Sequence, residues 1–392
     1  MSTEQPFKIS VSDDALALLK HKLQQVRFPD ELDDAGWDYG VPLAPLKRLV
    51  SRWANGYNWR DAEAKFNALP QFTRDIAVKD FGTLNIHYIH QKSNRPNAIP
   101  LLFVHGWPGS FIEVTKILPL LVNAPDDKPS FHVVAVSLPN FGFSEGVRKK
   151  GFAVHQYAEV GHKLMLALGY NEYVTQGGDW GHFITNMIAM KYGPQHIKAW
   201  HTNFPKTSPP ADTALEGDNS EVDTARLEHN ELWAKGDQGY YAQLSSKPQT
   251  IGYALADSPV ALLAWIYEKL VGYSDAYDWQ DDEVLTWISI YWFSRAGPGA
   301  SGRIYYEFEH ADQVAVQPRP TIPFGVSYFP KEVMSSPLSW ASGMGNVVFQ
   351  SQHSKGGHFA AYEQPEALVD DLRRMYGRGG PAFAVVPGKT GY

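Results

Sequence analysis

Three short stretches carry side chains that together could break a bond to saturated carbon. The first is QGGDWGHF, residues 176–183. Asp179 stands at its centre, with Gly177 two residues before and Gly181 two residues after. Small residues at those positions suit a sharp strand-to-helix turn that exposes a nucleophile at its tip. The usual tip residue is serine; here it is a carboxylate. A helix starting at Trp180 would aim the positive end of its dipole at that carboxylate. The competing reading is an aspartate that merely caps the helix.

The second stretch is HGWPGS, His105 to Ser110, at the end of an apolar run. The backbone N–H of Trp107 can pair with that of Trp180 to form an oxyanion hole. His105, Gly106 and Pro108 support this loop, and Pro108 stiffens it. The third is SKGGHFAAYEQP, which follows the last apolar run and contains His358. Of 14 histidines, His358 has the position of a general base, while His353, His105 and His182 read as structural. Between Thr321 and His358 the only Asp or Glu is Glu332, in YFPKEVM. It is the acid that would orient the imidazole, with Asp312 as the fallback.

A carboxylate nucleophile changes the reaction class. It attacks an sp³ carbon and leaves an alkyl ester on the enzyme; water, deprotonated by histidine, then attacks the ester carbonyl. A serine would form an ether that water does not cleave. Epoxides and alkyl halides both suit this logic and differ in the leaving group. A halide needs weak N–H donors such as indoles. An epoxide oxygen needs a proton or a strong hydrogen bond, which tyrosine supplies, its hydroxyl staying protonated up to about pH 10.

These residues need a scaffold that brings strand ends together. From Ile99, apolar runs alternate with helical ones: IPLLFVHG, SFIEVTKILPLLV, FHVVAVSLPNFGFS, AVHQYAEVGHKLMLALGY, EYVTQGG, WGHFITNMIAMKYG and HIKAWHTNFP. The alternation predicts a mostly parallel, doubly wound α/β sheet, with ligands at the strands' carboxyl ends. It stops at Pro205 and resumes with TIPFGVSYFP and NVVFQSQHS. The expected organisation is an N-terminal helical region over 1–75, a first core part over 76–205, a helical cap over 206–318 and a second core part with tail over 319–392. Helix is expected around SDDALALLKHKLQQVRF and through LAPLKRLVSRWANGYNWRDAEAKFNAL with an interruption near Gly56. An antiparallel pair is expected in RDIAVKDFGTLNIHYIHQK.

Bulk properties exclude several classes. The chain has 392 residues, no cysteine and a net charge of 35 − 42 = −7. Disulfides, thiolate catalysis and cysteine metal sites are ruled out. The mild acidity gives no support for a nucleic-acid partner or an anionic membrane. The first residues lack the pattern of a signal peptide, and no apolar run reaches the roughly 18 residues of a membrane span. A soluble, cytoplasmic protein is expected. Nothing in the sequence decides between a monomer and a homodimer.

FVHGWPGSF, QGGDWG, SPVALLAWIYEKL, FPKEV and GGHFAAYEQP, in this order, closely resemble the microsomal-type epoxide hydrolases, particularly their soluble fungal members. FKISVSDDALALLKHKLQQVRFPDE also looks like that family's N-terminal region, so the resemblance runs over roughly 6–377. It implies the α/β-hydrolase fold, no cofactor and no metal, and a small apolar or aryl epoxide as substrate together with water. It implies Asp179 as nucleophile, His358 as base and Glu332 as acid. It also implies two cap tyrosines that donate to the epoxide oxygen, landing on Tyr240 and Tyr305, with Tyr241 and Tyr306 one residue away. No N-terminal membrane anchor is expected before the matched region, unlike in the animal members. Trp180 directly after Asp179 is shared with haloalkane dehalogenases, which keeps that activity as an alternative. A catalytically silent ligand receptor of the same fold is the other.

Overall fold

The structure is a computed structural model that describes residues 3–207, 220–311 and 319–392. Asp312 and part of the expected cap lie outside the described residues. Nine strands form one sheet: β1 (Gln5–Pro6), β2 (Gln71–Val78), β3 (Gly82–Gln91), β4 (Ile99–Val104), β5 (Phe131–Val136), β6 (Tyr173–Gly177), β7 (Ile197–Thr202), β8 (Pro323–Tyr328) and β9 (Asn346–Gln352). Their order is β1-β2-β3-β5-β4-β6-β7-β8-β9. The pairs as far as β3–β5 are antiparallel and the rest parallel.

Every residue of β4 and β6 is buried. Both faces are covered by helices, so the strands are apolar runs instead of alternating ones. The chain leaves β4 for β5 on one side and crosses to β6 on the other. The reversal opens a crevice at the carboxyl ends of β4 and β6, where such sheets bind ligands. This is the α/β-hydrolase fold.

The N-terminal helices Asp13–Gln24, Leu43–Asn55 and Trp59–Asn67 form as their periodicity predicts, with the break at Gly56. Ser12 caps the first by accepting from the Ala15 N–H. Leu46, Leu49, Val50 and Trp53 lie at helical spacing on the second and are all buried. Burying each large side chain contributes roughly 1.5–3 kcal/mol. These helices pack beside the cap, and ion pairs Lys22–Asp257 (2.7 Å), Arg48–Asp281 (2.9 Å) and Arg52–Asp282 (2.8 Å) join them to it.

Cap helices include Glu221–Gly236, Gly239–Ser246, Pro259–Gly272, Asp281–Trp292 and Arg303–His310. No helix among the described residues is long and apolar enough to cross a membrane. Two features depart from the periodicity. A division at residue 75 cuts β2, because pairing with β3 already starts at Gln71. The residues after Gly377 fold back on the core, where Ser130 N–H donates to Gly391 O (2.9 Å) and Gly391 N–H to Asn97 O (2.7 Å).

Candidate active site

Asp179 occupies the turn between β6 and the helix Trp180–Tyr192, with φ 48° and ψ −126°. A positive φ is costly for a residue with a side chain and persists only where its surroundings enforce it. Here the enforcement is steric. An ideal Cβ on Gly181 would lie 2.0 Å from Val104 O. Any side chain there would drive the helix away from β4. The Asp179 carboxylate makes no side-chain capping bond, so the capping reading fails.

The loop after β4 faces this carboxylate. Trp107 N–H donates to Asp179 Oδ1 at 2.7 Å, and the Trp180 N–H also supports the ionised form. Gly106 brings the loop close: a Cβ there would stand 2.1 Å from Asp179 Oδ1. The cap pins the same loop from above. Trp287 Nε1 donates to Pro108 O (2.6 Å) and the Tyr291 hydroxyl to Gly109 O (2.5 Å). The Trp107–Pro108 peptide is cis.

His358 arrives from the loop after β9. An isolated parallel bridge, Lys331↔Gly357, ties this loop to the one after β8, which carries Glu332. His358 Nδ1 lies 2.5 Å from Glu332 Oε1, and His358 Nε2 lies 3.6 Å from Asp179 Oδ2. The Glu332 side chain is 0 % exposed, whereas that of Asp179 keeps 20 %. Only Asp179 is therefore open to an incoming molecule. Val333 N–H also donates to Glu332 Oε1 (2.7 Å).

Electrostatics follow from this packing. Burial alone would lower the His358 imidazole; Glu332 above all, then Asp179 and Glu113, reverse that and hold it at about 9. Burial raises Asp179 above the usual carboxylate range, against the pull of His358 and the two backbone donors.

Across the crevice stand two cap tyrosines. Tyr240, on Gly239–Ser246, stacks on the Trp107 ring (5.2 Å, 15°). Tyr305, on Arg303–His310, sets its ring edge-on to Trp107 (5.7 Å) and Trp180 (4.8 Å). The two rings are 5.9 Å apart and both are buried. Burial first, then neighbouring tyrosines and Asp179, push both hydroxyls well above 10. Their sequence neighbours face elsewhere. The Tyr241 hydroxyl donates to Glu309 (2.5 Å), and Tyr306 stacks on His310 (4.0 Å).

The three competing histidines have structural partners. His105 Nε2 accepts from Leu138 N–H (3.2 Å), His182 meets the Thr202 hydroxyl (3.2 Å) and His353 meets Asp371 (2.6 Å). Three groups at the site escaped the sequence reading. Glu113 tucks against Gly109, and burial raises its carboxyl to about 8. Tyr273 accepts the His358 backbone N–H on its carbonyl (2.8 Å) and sets its ring 5.9 Å from the imidazole. Lys269 lies under the Tyr240 ring. Glu113 is visible only as part of the HGWPGSFIE stretch; the other two give no signal by type or spacing.

Comparison with known proteins places this arrangement. Residues 4–114 match the family described as "Epoxide hydrolase N terminus", and residues 99–235 match "alpha/beta hydrolase fold". The chain is 35% identical over 411 residues to epoxide hydrolase 1 of Sus scrofa, covering 95% of this chain and 88% of that one. Among solved structures, the Aspergillus niger epoxide hydrolase superposes with a TM-score of 0.85 at 32% identity, covering 95% of each chain. The juvenile hormone epoxide hydrolase of the silkworm Bombyx mori gives 0.86 at 28%, covering 95% of this chain and 93% of that one.

Proposed function

Because this chain belongs to the epoxide hydrolase family, we propose that it converts epoxides to vicinal diols through an alkyl ester on Asp179. The substrate lies between Asp179 and the cap tyrosines Tyr240 and Tyr305. Asp179 Oδ2 attacks a ring carbon while Tyr240 and Tyr305 donate to the ring oxygen. Oδ1 stays on the Trp107 and Trp180 amides and becomes the ester carbonyl oxygen. The observation that carries this reading is the short Trp107 N–H bond to Oδ1, with Oδ2 turned toward His358 Nε2 at 3.6 Å. The oxyanion hole is formed before any ester exists, so the tetrahedral intermediate needs no rearrangement.

Ester formation also resets the base. In the free enzyme the negative Asp179 helps hold the His358 imidazole at about 9. Alkylation removes that charge, so the imidazole sheds its proton more readily when water must be activated. Glu332 then stabilises the imidazolium that forms as water attacks.

A paired assay tests this reading. Purified protein, without added metal or cofactor, is given styrene oxide in one tube and a 1-haloalkane in the other, with Asp179→Asn as control. Diol from wild type alone is expected. Halide without diol would make the Trp107 and Trp180 indoles the leaving-group site and overturn the tyrosine roles. His358→Gln should accumulate the ester, read as a mass increase equal to the substrate.

A further inference from the structure

Tyr240 and Tyr305 look interchangeable by position, but their surroundings differ in one charged group. Lys269, on the helix Pro259–Gly272, is only 4 % exposed. Its Nζ stands 4.8 Å from the centroid of the Tyr240 ring and 5.7 Å from that of Tyr273. Its anionic partner is the adjacent Glu268, at the partly exposed end of the pair. Among the described residues no lysine or arginine lies over the face of Tyr305, whose neighbours are the rings of Trp107, Trp180, Tyr240 and Tyr241. A buried ammonium is expensive to desolvate, and one carboxylate on its outer side compensates only in part.

An ammonium within about 6 Å of an aromatic face is attracted by the ring's negative face. If that ring becomes a phenolate, the attraction becomes one between full charges in a dry site. The Tyr273 hydroxyl lies beside that of Tyr240, buried and without a fully formed hydrogen bond. It is placed to donate to a phenolate oxygen. Among the described residues Tyr305 has no ammonium over its face; the Trp180 indole stands against it instead.

We propose that Lys269 selects Tyr240 as the tyrosine that surrenders its proton to the opening epoxide, while Tyr305 holds the oxygen by a hydrogen bond. This rests on the ester reading above. Asp179 Oδ2 forms the new bond to carbon; the ring C–O bond breaks and its electron pair stays on oxygen. That oxygen takes the Tyr240 proton, leaving a phenolate against the Lys269 ammonium. Water then gives one proton to His358, which passes it to the departing alkoxide. The second proton remains on the regenerated Asp179 carboxyl and goes to the phenolate. Lys269 touches no reacting atom and is a positioning residue.

The test separates the half-reactions by rapid mixing with styrene oxide. Lys269→Met keeps the apolar stem, and Lys269→Gln is a second variant should Met misfold. Alkylation is expected to fall by roughly 10- to 100-fold, the scale of one lost transition-state interaction, with ester hydrolysis within about twofold. Lys269→Arg should recover most of the loss. The deciding measurement is a double-mutant cycle. In a Tyr305→Phe background, Lys269→Met should cost as much as in wild type; in a Tyr240→Phe background it should cost almost nothing. Equal slowing of both half-reactions, or an undiminished cost beside Tyr240→Phe, would overturn the assignment. If His358→Gln instead traps no ester, the ester reading falls and takes this assignment with it.

Discussion

Glu332→Gln isolates the charge that supports the base. The replacement keeps the side-chain shape and an oxygen able to accept from Val333 N–H and His358 Nδ1. What is lost is one negative charge at a fully buried position 2.5 Å from the imidazole. His358 stands at about 9 against an ordinary 6.5, and Glu332 is the largest contribution raising it. Removing that charge takes away a preference for the imidazolium on the order of a few kcal/mol. In the ester form the neutral imidazole must take a proton from water beside Glu332, so the cost falls on ester hydrolysis. A factor of roughly 10²–10³ follows. Alkylation, which uses Asp179 and the tyrosines, should change little. Single-turnover kinetics with styrene oxide should therefore show a retained first phase and a slowed second one. Intact mass during turnover should show ester-loaded enzyme as the main species. Hydrolysis slowed by less than about fivefold, or alkylation slowed equally, would refute the reasoning.

Other consequences can be checked with the same substrate. Gly106→Ala places a methyl group 2.1 Å from Asp179 Oδ1; it should cut alkylation by about 10²-fold or more through lost alignment, with circular dichroism unchanged. Tyr240→Phe and Tyr305→Phe should each slow alkylation by roughly 10²-fold, whereas Tyr241→Phe and Tyr306→Phe should stay near wild type in the same assay. The His358 imidazole is raised in the folded state, so its pairing adds stability that is complete below about pH 6.5 and is lost as pH rises through about 9. The melting-temperature gap between wild type and His358→Gln should accordingly be widest near pH 6 and close by about pH 10.

The core strands and the Asp179 turn were legible because both rest on local constraints. Fully covered strands must be apolar, and a turn wedged against Val104 O excludes side chains at Gly181. Glu332 and His358 could be placed because both follow strands at the same sheet edge. The tyrosine pair was legible only through resemblance, since counting cannot separate Tyr240 from Tyr241. Lys269 was invisible for a physical reason. A lysine in SPVALLAWIYEKL reads as a solvated residue at the end of an apolar face, and only tertiary packing buries it. The edge strand β1 has two residues and therefore no period to detect. The folded-back tail has no periodic pattern: it is held by backbone bonds and by scattered long-range contacts such as Ser130 and Arg95 to Gly391 O and Lys389 to Pro96 O.

The ion pairs that join the N-terminal helices to the cap also set a schedule for assembly. Arg52 and Asp282 are separated by 230 positions. At roughly 5–20 residues per second on the ribosome, the helix Leu43–Asn55 waits about 10–50 s for its partners to emerge. Throughout that interval its stripe of Leu46, Leu49, Val50 and Trp53 has no cap to pack against. The newly made chain is thus expected to expose this apolar stripe to holding chaperones until the helix Asp281–Trp292 appears.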